Sequence, residues 1–360
     1  MDQEPINPAP KRKRYADVLR RLKKSKLAST AAVGAIVGMV AIGYAGAAGL
    51  FSDDLTPTAI VDRQEGNMPF PGFRRAHAKG ICITGQFRSS GGLQQFSRSE
   101  MFERDAVTPF VGRFSIGGAN PTAPDLKAGV RSLALDFRLD NGERWRTAMN
   151  TPPVLAVRDP QAFFEQIAST APDPKTGKPD PMRLAAFAEA HPEGAPFRAW
   201  QRAYVPSSSF ATERYHSINA FLLTNGNGAE QPVRWRAEPV LAPLPVAGED
   251  VDALQADLAS RTKTRPVAFR LIFTLAQRGD AINDPSTPWP SDRQEVEAGL
   301  IEIVGTQSQQ EGQCNAINFD PLILPGGIAA SDDPILHARS GAYAVSYRRR
   351  AAEIALERGQ

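Results

Sequence analysis

What most constrains this chain is a succession of short apolar or alternating runs between residues 81 and 304. Residues 81–87, 109–115, 132–138 and 147–157 read as strands, because β-branched and aromatic residues recur there between turn signals. Further strands are predicted at 217–223, 233–239, 267–275 and 300–304. Asp140-Asn141-Gly142 should join two of them as a hairpin, since Asn and Gly accept the positive φ of such turns. So many strands in one region predict a closed antiparallel barrel or a sandwich. Helices lie between and after them, which makes the class α+β. Asp159-Pro160 and Asp180-Pro181 are start signals for helices at 161–169 and 182–190. Residues 250–261 carry Val251, Leu254 and Leu258 on one helical face, and 335–347 with 348–356 form a helical C-terminus.

The N-terminus is of another character. The formal net charge is only +3, yet nine basic residues crowd positions 11–26. The remainder is close to neutral, which argues against nucleic acid as the partner. An uncharged run rich in Ala, Gly, Val and Ile follows, about long enough to span a hydrocarbon core. Basic residues before it and Asp53-Asp54 after it place the N-terminus in the cytoplasm. The expected organisation is a basic cytoplasmic segment at 1–26, a transmembrane anchor or signal at 27–51, a linker at 52–72 and one domain at 73–360. That domain would lie on the extracytoplasmic side of the cytoplasmic membrane, with the lipid bilayer as a partner. Ala45-Gly46-Ala47 leaves signal cleavage open.

Two cysteines, Cys82 and Cys314, are too few for a disulfide framework. An exported domain could pair them, but Cys82 sits in an apolar strand and reads as a buried thiol. No CxxC, CxxCH or HExxH spacing occurs, which excludes c-type haem attachment and the common zinc hydrolases. Gly91-Gly92 and Gly117-Gly118 lack phosphate-loop spacing.

Chemistry concentrates around one of the four histidines, His77, set among basic residues before a strand. It could act as a general acid and base on a peroxide. Ser115 could fix its imidazole, and Asn150 could hydrogen-bond a bound oxygen. Far downstream, Arg339 precedes Tyr343 by one helical turn, on the same face.

The order and neighbourhoods of these residues resemble the catalase superfamily. Arg-x-x-His-Ala-Lys-Gly stands as Arg74-Arg75-Ala76-His77-Ala78-Lys79-Gly80, and Arg-Phe-Ser as Arg113-Phe114-Ser115. Asn-x-x-Pro followed by Arg-Asp stands as Asn150-Thr151-Pro152-Pro153 and Arg158-Asp159. The proximal segment stands as Phe319-Asp320-Pro321, Pro325-Gly326-Gly327-Ile328 and Arg339…Tyr343. The blocks keep family order across residues 73–343.

The resemblance implies a closed barrel of about eight strands holding haem b. It makes His77, Asn150 and Ser115 the distal catalytic residues and Tyr343 the iron ligand. Arg339 would support Tyr343, Arg74 and Arg113 would meet the haem propionates, and Phe163 would pack on the ring. Peroxide and a small organic electron donor are the implied partners, and a homo-oligomer is left open. Departures from the larger enzymes point to a small catalase-related peroxidase. Ala76 stands where they have Val, and Leu155 and Ala156 where they have Phe, so the distal side should be wider. Anchoring on Thr-Pro would give Met149 the place of Asn150, but a thioether cannot donate a hydrogen bond. A hydroperoxide isomerase and a non-enzymatic haem carrier stay open as alternatives.

Overall fold

Antiparallel pairing runs round the sheet of this computed structural model until it meets itself; the structure describes residues 55–66, 69–242 and 251–358. The strands are β1 (Gly80–Ser89), β2 (Val107–Ile116), β3 (Arg131–Arg138), β4 (Arg144–Asn150), β5 (Tyr215–His216), β6 (Phe221–Thr224), β7 (Glu230–Pro239), β8 (Val267–Leu275), β9 (Glu295–Ser308) and β10 (Ile328–Ala330). The ring β1-β2-β3-β4-β5-β7-β8-β9 closes through β9 on β1, giving an eight-stranded barrel with no free edge. β6 continues the line of β5 along β7, and β10 pairs with β6.

Among the described residues six helices surround it: α1 (Pro57–Glu65), α2 (Pro160–Thr170), α3 (Pro181–Ala190), α4 (Ala195–Ala203), α5 (Ala253–Thr264) and α6 (Pro334–Arg358). The Asp-Pro signals work as capping predicts. Asp159 Oδ1 accepts from Ala162 N at 2.9 Å, and Asp180 Oδ1 from Met182 N at 2.9 Å. Asp333 does the same for α6, accepting from Ile335 N at 2.8 Å ahead of Pro334.

Period-two alternation decides what each strand buries. Phe114 on β2, Leu133, Leu135 and Phe137 on β3, and Trp145 and Met149 on β4 fill the barrel. Its centre is aromatic, with Phe102 edge-on to Trp145 at 6.0 Å between centroids and Trp145 edge-on to Trp235 at 5.1 Å.

Several expectations change. The 147–157 strand stops at Asn150, because Pro152 and Pro153 cannot donate to a ladder. The 217–223 strand is broken between β5 and β6, where Ile218 takes φ 66° and Asn219 Nδ2 donates to Asp333 at the head of α6. The C-terminal helices are one helix of 25 residues. The 52–72 linker contains α1, which Arg349 of α6 holds through Asp62 and Glu65, each at 2.5 Å. Helix α4 was not anticipated.

Cys82 is not a free thiol. It is disulfide-bonded to Cys314, 232 residues away in sequence. Alternation turns Cys82 to the outside of β1, where the turn at Gln313–Ala316 packs against it. The apolar run at 27–51 lies outside the described residues, and among those described no helix is long and apolar enough to cross a membrane.

Candidate active site on the outer wall of the barrel

The same alternation that fills the barrel lays a second pattern on its outside. Arg113, Ala134 and Ala148 are cross-strand neighbours on β2, β3 and β4, and so are Ser115, Ser132 and Asn150. The first rung is a cation beside two methyl groups. The second is a row of polar side chains that continues to His216 on β5. Over these rungs lies a cavity of about 1580 Å³, counting its mouth to solvent. Its other walls come from α1, α2, α4 and one face of α6, where Ile335, Arg339, Tyr343, Tyr347 and Arg350 recur at helical spacing.

All eight residues singled out from sequence line this one cavity: Arg74, His77, Arg113, Ser115, Asn150, Phe163, Arg339 and Tyr343. Their relations differ from expectation in one respect. The serine that reaches His77 is Ser132, whose Oγ lies 3.1 Å from His77 Nδ1. Ser132 Oγ also donates to Asn150 Oδ1. Ser115 sits on the adjacent strand of the same rung, with its side chain buried at the cavity wall. Met149 is wholly buried in the barrel core, while Asn150 makes the polar contact. Asn150 Nδ2 has no partner among the described residues, so its two donors are free for a ligand oxygen.

His77 is held at φ 55°, a left-handed conformation unusual for a residue with a side chain. The segment is pinned on both sides. Arg75 pairs with Glu353 of α6 and, at 3.1 Å, with Glu65 of α1. Lys79 Nζ donates to the Ala123 and Val251 carbonyls and pairs with Asp252 at 2.8 Å. Arg113 Nη2 donates to His77 O at 2.7 Å. Gly80 makes that approach feasible, because a Cβ there would lie 2.2 Å from Phe114 O and 2.6 Å from Arg113 Nη2. Burial, with Arg113, Arg339 and Arg74 nearby, pushes the His77 imidazole down to about 4, against the weaker pull of the Ile116 carbonyl. The ring is therefore neutral at physiological pH.

The cavity is rich in buried cations. Arg74 donates to the Cys314 and Ile317 carbonyls at 2.9 and 3.1 Å, and its Nη1 is buried with no partner. Arg350 donates to Asn315 O at 2.8 Å. Arg113 bonds Gln309 and the His77 and Ala78 carbonyls. None of these bonds involves a carboxylate. Burial lowers all three guanidinium groups, helped by repulsion from Arg113 and Arg350 on Arg74, from Arg350 on Arg113 and from Arg75 on Arg350; Arg74 falls well below its usual range, Arg113 to about 9 and Arg350 to about 10. Uncompensated buried charge is costly, so such a cluster is built for an anion. Arg339 sits over Tyr343, its guanidinium carbon 5.9 Å from the ring centre, and donates to Ala148 O at 3.1 Å and to Asn219.

These features fit haem. Ala134 and Ala148 leave a flat apolar wall, Phe163 offers a ring, the arginines suit two propionates, and Tyr343 offers a side chain of the type that ligates haem iron in catalases. Sequence reasoning missed Ser132 and Arg350. Ser132 had a signal, since it and Asn150 are equally far from Asn141 at the hairpin turn and so must face each other. Arg350 had one too, lying two helical turns beyond Tyr343 on the same face.

Comparison with known proteins agrees with this geometry. The catalase family model matches residues 71–355, spanning the His77 and Tyr343 segments alike, and the chain belongs to the catalase family. It is 36% identical over 322 residues to a catalase-related peroxidase of Synechococcus elongatus, covering 88% of this chain and 93% of that protein. It is 32% identical to a catalase-related peroxidase of Mycolicibacterium paratuberculosis, covering 83% of this chain and 96% of the relative. Among solved structures, a fungal catalase superposes with a TM-score of 0.71 at 20% identity, and a bacterial catalase with 0.69 at 22%. Each superposition covers 77% of this chain, but the chain spans only 59% and 57% of those two catalases.

Proposed function

We propose that this protein is a haem b peroxidase that reduces hydrogen peroxide and organic peroxides with a small organic electron donor. One observation carries the reading: a single cavity joins the neutral His77 and the free amide donors of Asn150 to a Tyr343–Arg339 pair and three uncompensated arginines. Haem bound there would supply the redox-active iron that couples peroxide reduction to oxidation of the donor. Tyr343 Oη would ligate that iron, with the Arg339 guanidinium opposing the charge of a ligating phenolate. Arg74, Arg113 and Arg350 would hold the propionates, and Phe163 would pack on the ring.

The chain itself then handles protons. His77 Nε2 takes a proton from the peroxide and returns it to the departing oxygen. Asn150 Nδ2 donates a hydrogen bond that steadies that oxygen. In sum, ROOH, two electrons and two protons give ROH and water. Ala76, Leu155 and Ala156 all line the cavity, and their small or flexible side chains leave room for an organic R group. The two relatives named as catalase-related peroxidases support peroxidase over catalase chemistry. The Cys82–Cys314 disulfide supports an oxidising compartment, in line with a domain anchored outside the cytoplasmic membrane by the apolar run.

The test is an absorption spectrum of the full-length protein together with its peroxide kinetics. A ferric haem spectrum is expected, altered or lost in Tyr343→Phe. His77→Gln should keep the spectrum and slow the reaction with peroxide by about 10²–10⁴-fold. Absence of haem defeats the whole scheme. Rapid O₂ release with negligible dye oxidation defeats the peroxidase preference alone.

A further inference from the structure

Three polar side chains of the cavity wall take no part in handling peroxide or holding haem: Gln64 on α1, Gln166 on α2 and Tyr347 on α6. Each residue is half-buried, and none of the three side chains has a hydrogen-bond partner among the described residues. Their helices are fastened together at the same turns. Arg349 of α6 pairs at 2.5 Å with both Asp62 and Glu65, which flank Gln64 on α1. The Arg63 guanidinium carbon lies 4.3 Å from the ring centre of Phe164 on α2. Gln64 therefore stands at a three-helix junction, with Gln166 two residues beyond Phe164 and Tyr347 two before Arg349. Apolar rings adjoin it. Phe163 lies about one turn before Gln166 on the same face of α2, and Phe197 of α4 lines the same cavity. Charge in the lining comes from arginines; among the described residues no lysine, aspartate or glutamate takes part.

We propose that Gln64, Gln166 and Tyr347 form the subsite for the organic reductant, and that it takes a neutral phenol. The inference rests on the peroxidase reading and names its reductant. A carboxamide offers two N–H donors and an acceptor oxygen, and a phenolic side chain offers one O–H and its lone pairs. Such a set both gives and receives hydrogen bonds at a hydroxyl, while the phenylalanine rings beside it take the flat apolar remainder of a phenol. A reductant bearing an ammonium group meets arginines and no counter-charge. One bearing a carboxylate meets three neutral groups, because the cations nearest the junction are engaged, Arg349 by two carboxylates and Arg350 by the Asn315 carbonyl. The junction belongs to the helical wall, whereas Asn150 stands on the barrel wall, so phenol and peroxide do not compete for one place. Each phenol loses one electron to the haem and its O–H proton to an oxygen of the peroxide. Two ArOH and one ROOH then give two ArO•, one ROH and one water.

The experiment is ¹⁹F NMR titration of the haem-loaded, full-length protein with 4-fluorophenol, fluorobenzene and 4-fluorobenzoate, followed by steady-state kinetics with phenol. 4-Fluorophenol should bind about tenfold or more tighter than fluorobenzene, which lacks the hydroxyl, and tighter than the anionic 4-fluorobenzoate. Gln64→Leu, Gln166→Leu and Tyr347→Phe should each weaken 4-fluorophenol by about 3–10-fold and leave fluorobenzene unmoved. The kcat/KM for phenol should fall by the same factor, and the kcat/KM for peroxide should not. Gln161→Leu, at an exposed position of α2, should change neither. Binding of 4-fluorophenol no tighter than that of fluorobenzene or 4-fluorobenzoate overturns the proposal on wild type alone, whether or not the variants fold. Folded variants that all bind 4-fluorophenol as wild type does overturn it too. Either result in a haem-loaded protein that consumes peroxide sinks the subsite alone, whereas a protein without haem sinks the reading beneath it.

Discussion

At the residue scale, the site works by placing cations around an imidazole rather than carboxylates. An Asp or Glu beside His77 would favour imidazolium; here burial and three arginines disfavour it, and the ring titrates at about 4 instead of near 6.5. The sign follows directly. As pH falls from neutrality, an ordinary histidine base is lost through the sixes, whereas His77 stays unprotonated for roughly two further units. The rate of the reaction with peroxide should therefore hold nearly level down to about pH 5 and fall only as pH approaches 4. Stopped-flow rates across pH 4–8 check this; an acid limb centred near 6.5 would contradict it.

At the element scale, α6 carries the proximal half of the site on one face and the support for α1 on another. Gly341 lies between Arg339 and Tyr343, and a Cβ there would stand 2.6 Å from Pro57 Cγ and 3.1 Å from Pro57 Cβ. On propensity alone, Gly341→Ala should stabilise a helix interior by about 1 kcal/mol. The rigid Pro57 ring reverses that sign, and we expect a net loss of about 1–2 kcal/mol, seen as a lower Tm and faster proteolysis between α1 and β1. Pro57→Ala should shrink the penalty in the double variant, because the two positions share one contact. Since α1 contributes Ile60 and Gln64 to the cavity, the Gly341→Ala variant should also bind haem more weakly.

At the scale of the whole molecule, closure does two jobs. The barrel removes sheet edges, and its outer wall provides a rigid floor on which β2, β3 and β4 set the site rungs in register. The disulfide then fastens the 313–316 turn to that wall, beside the carbonyls that hold Arg74. Replacing both cysteines by Ala should cost about 2–5 kcal/mol, most of it through the denatured chain, whose ends of a long loop are no longer linked. Denaturant unfolding of wild type with and without reductant measures this. The same variant should release haem more readily, because Arg74 loses the fixed position of its acceptor carbonyls.

Much of this protein was legible in its residues. The family resemblance carried by the segments at 74–80, 113–115, 150–159 and 319–343 supplied the side chains expected at the site. Alternation with turn signals located β1, β2, β3, β7 and β8 to within a few residues and β4 and β9 more loosely, and Asp-Pro pairs marked α2 and α3. Local chemistry suffices for these features, because caps, turns and strand faces depend on neighbours in sequence. What it could not supply was who meets whom across the fold. The choice of Ser132 over Ser115 depends on where the His77 segment lies against the sheet. The Cys82–Cys314 bond joins residues 232 apart, and the break at Ile218 answers to Asp333 on a distant helix. Each is a long-range juxtaposition whose energy appears only after the barrel has closed, so only the tertiary structure decides it.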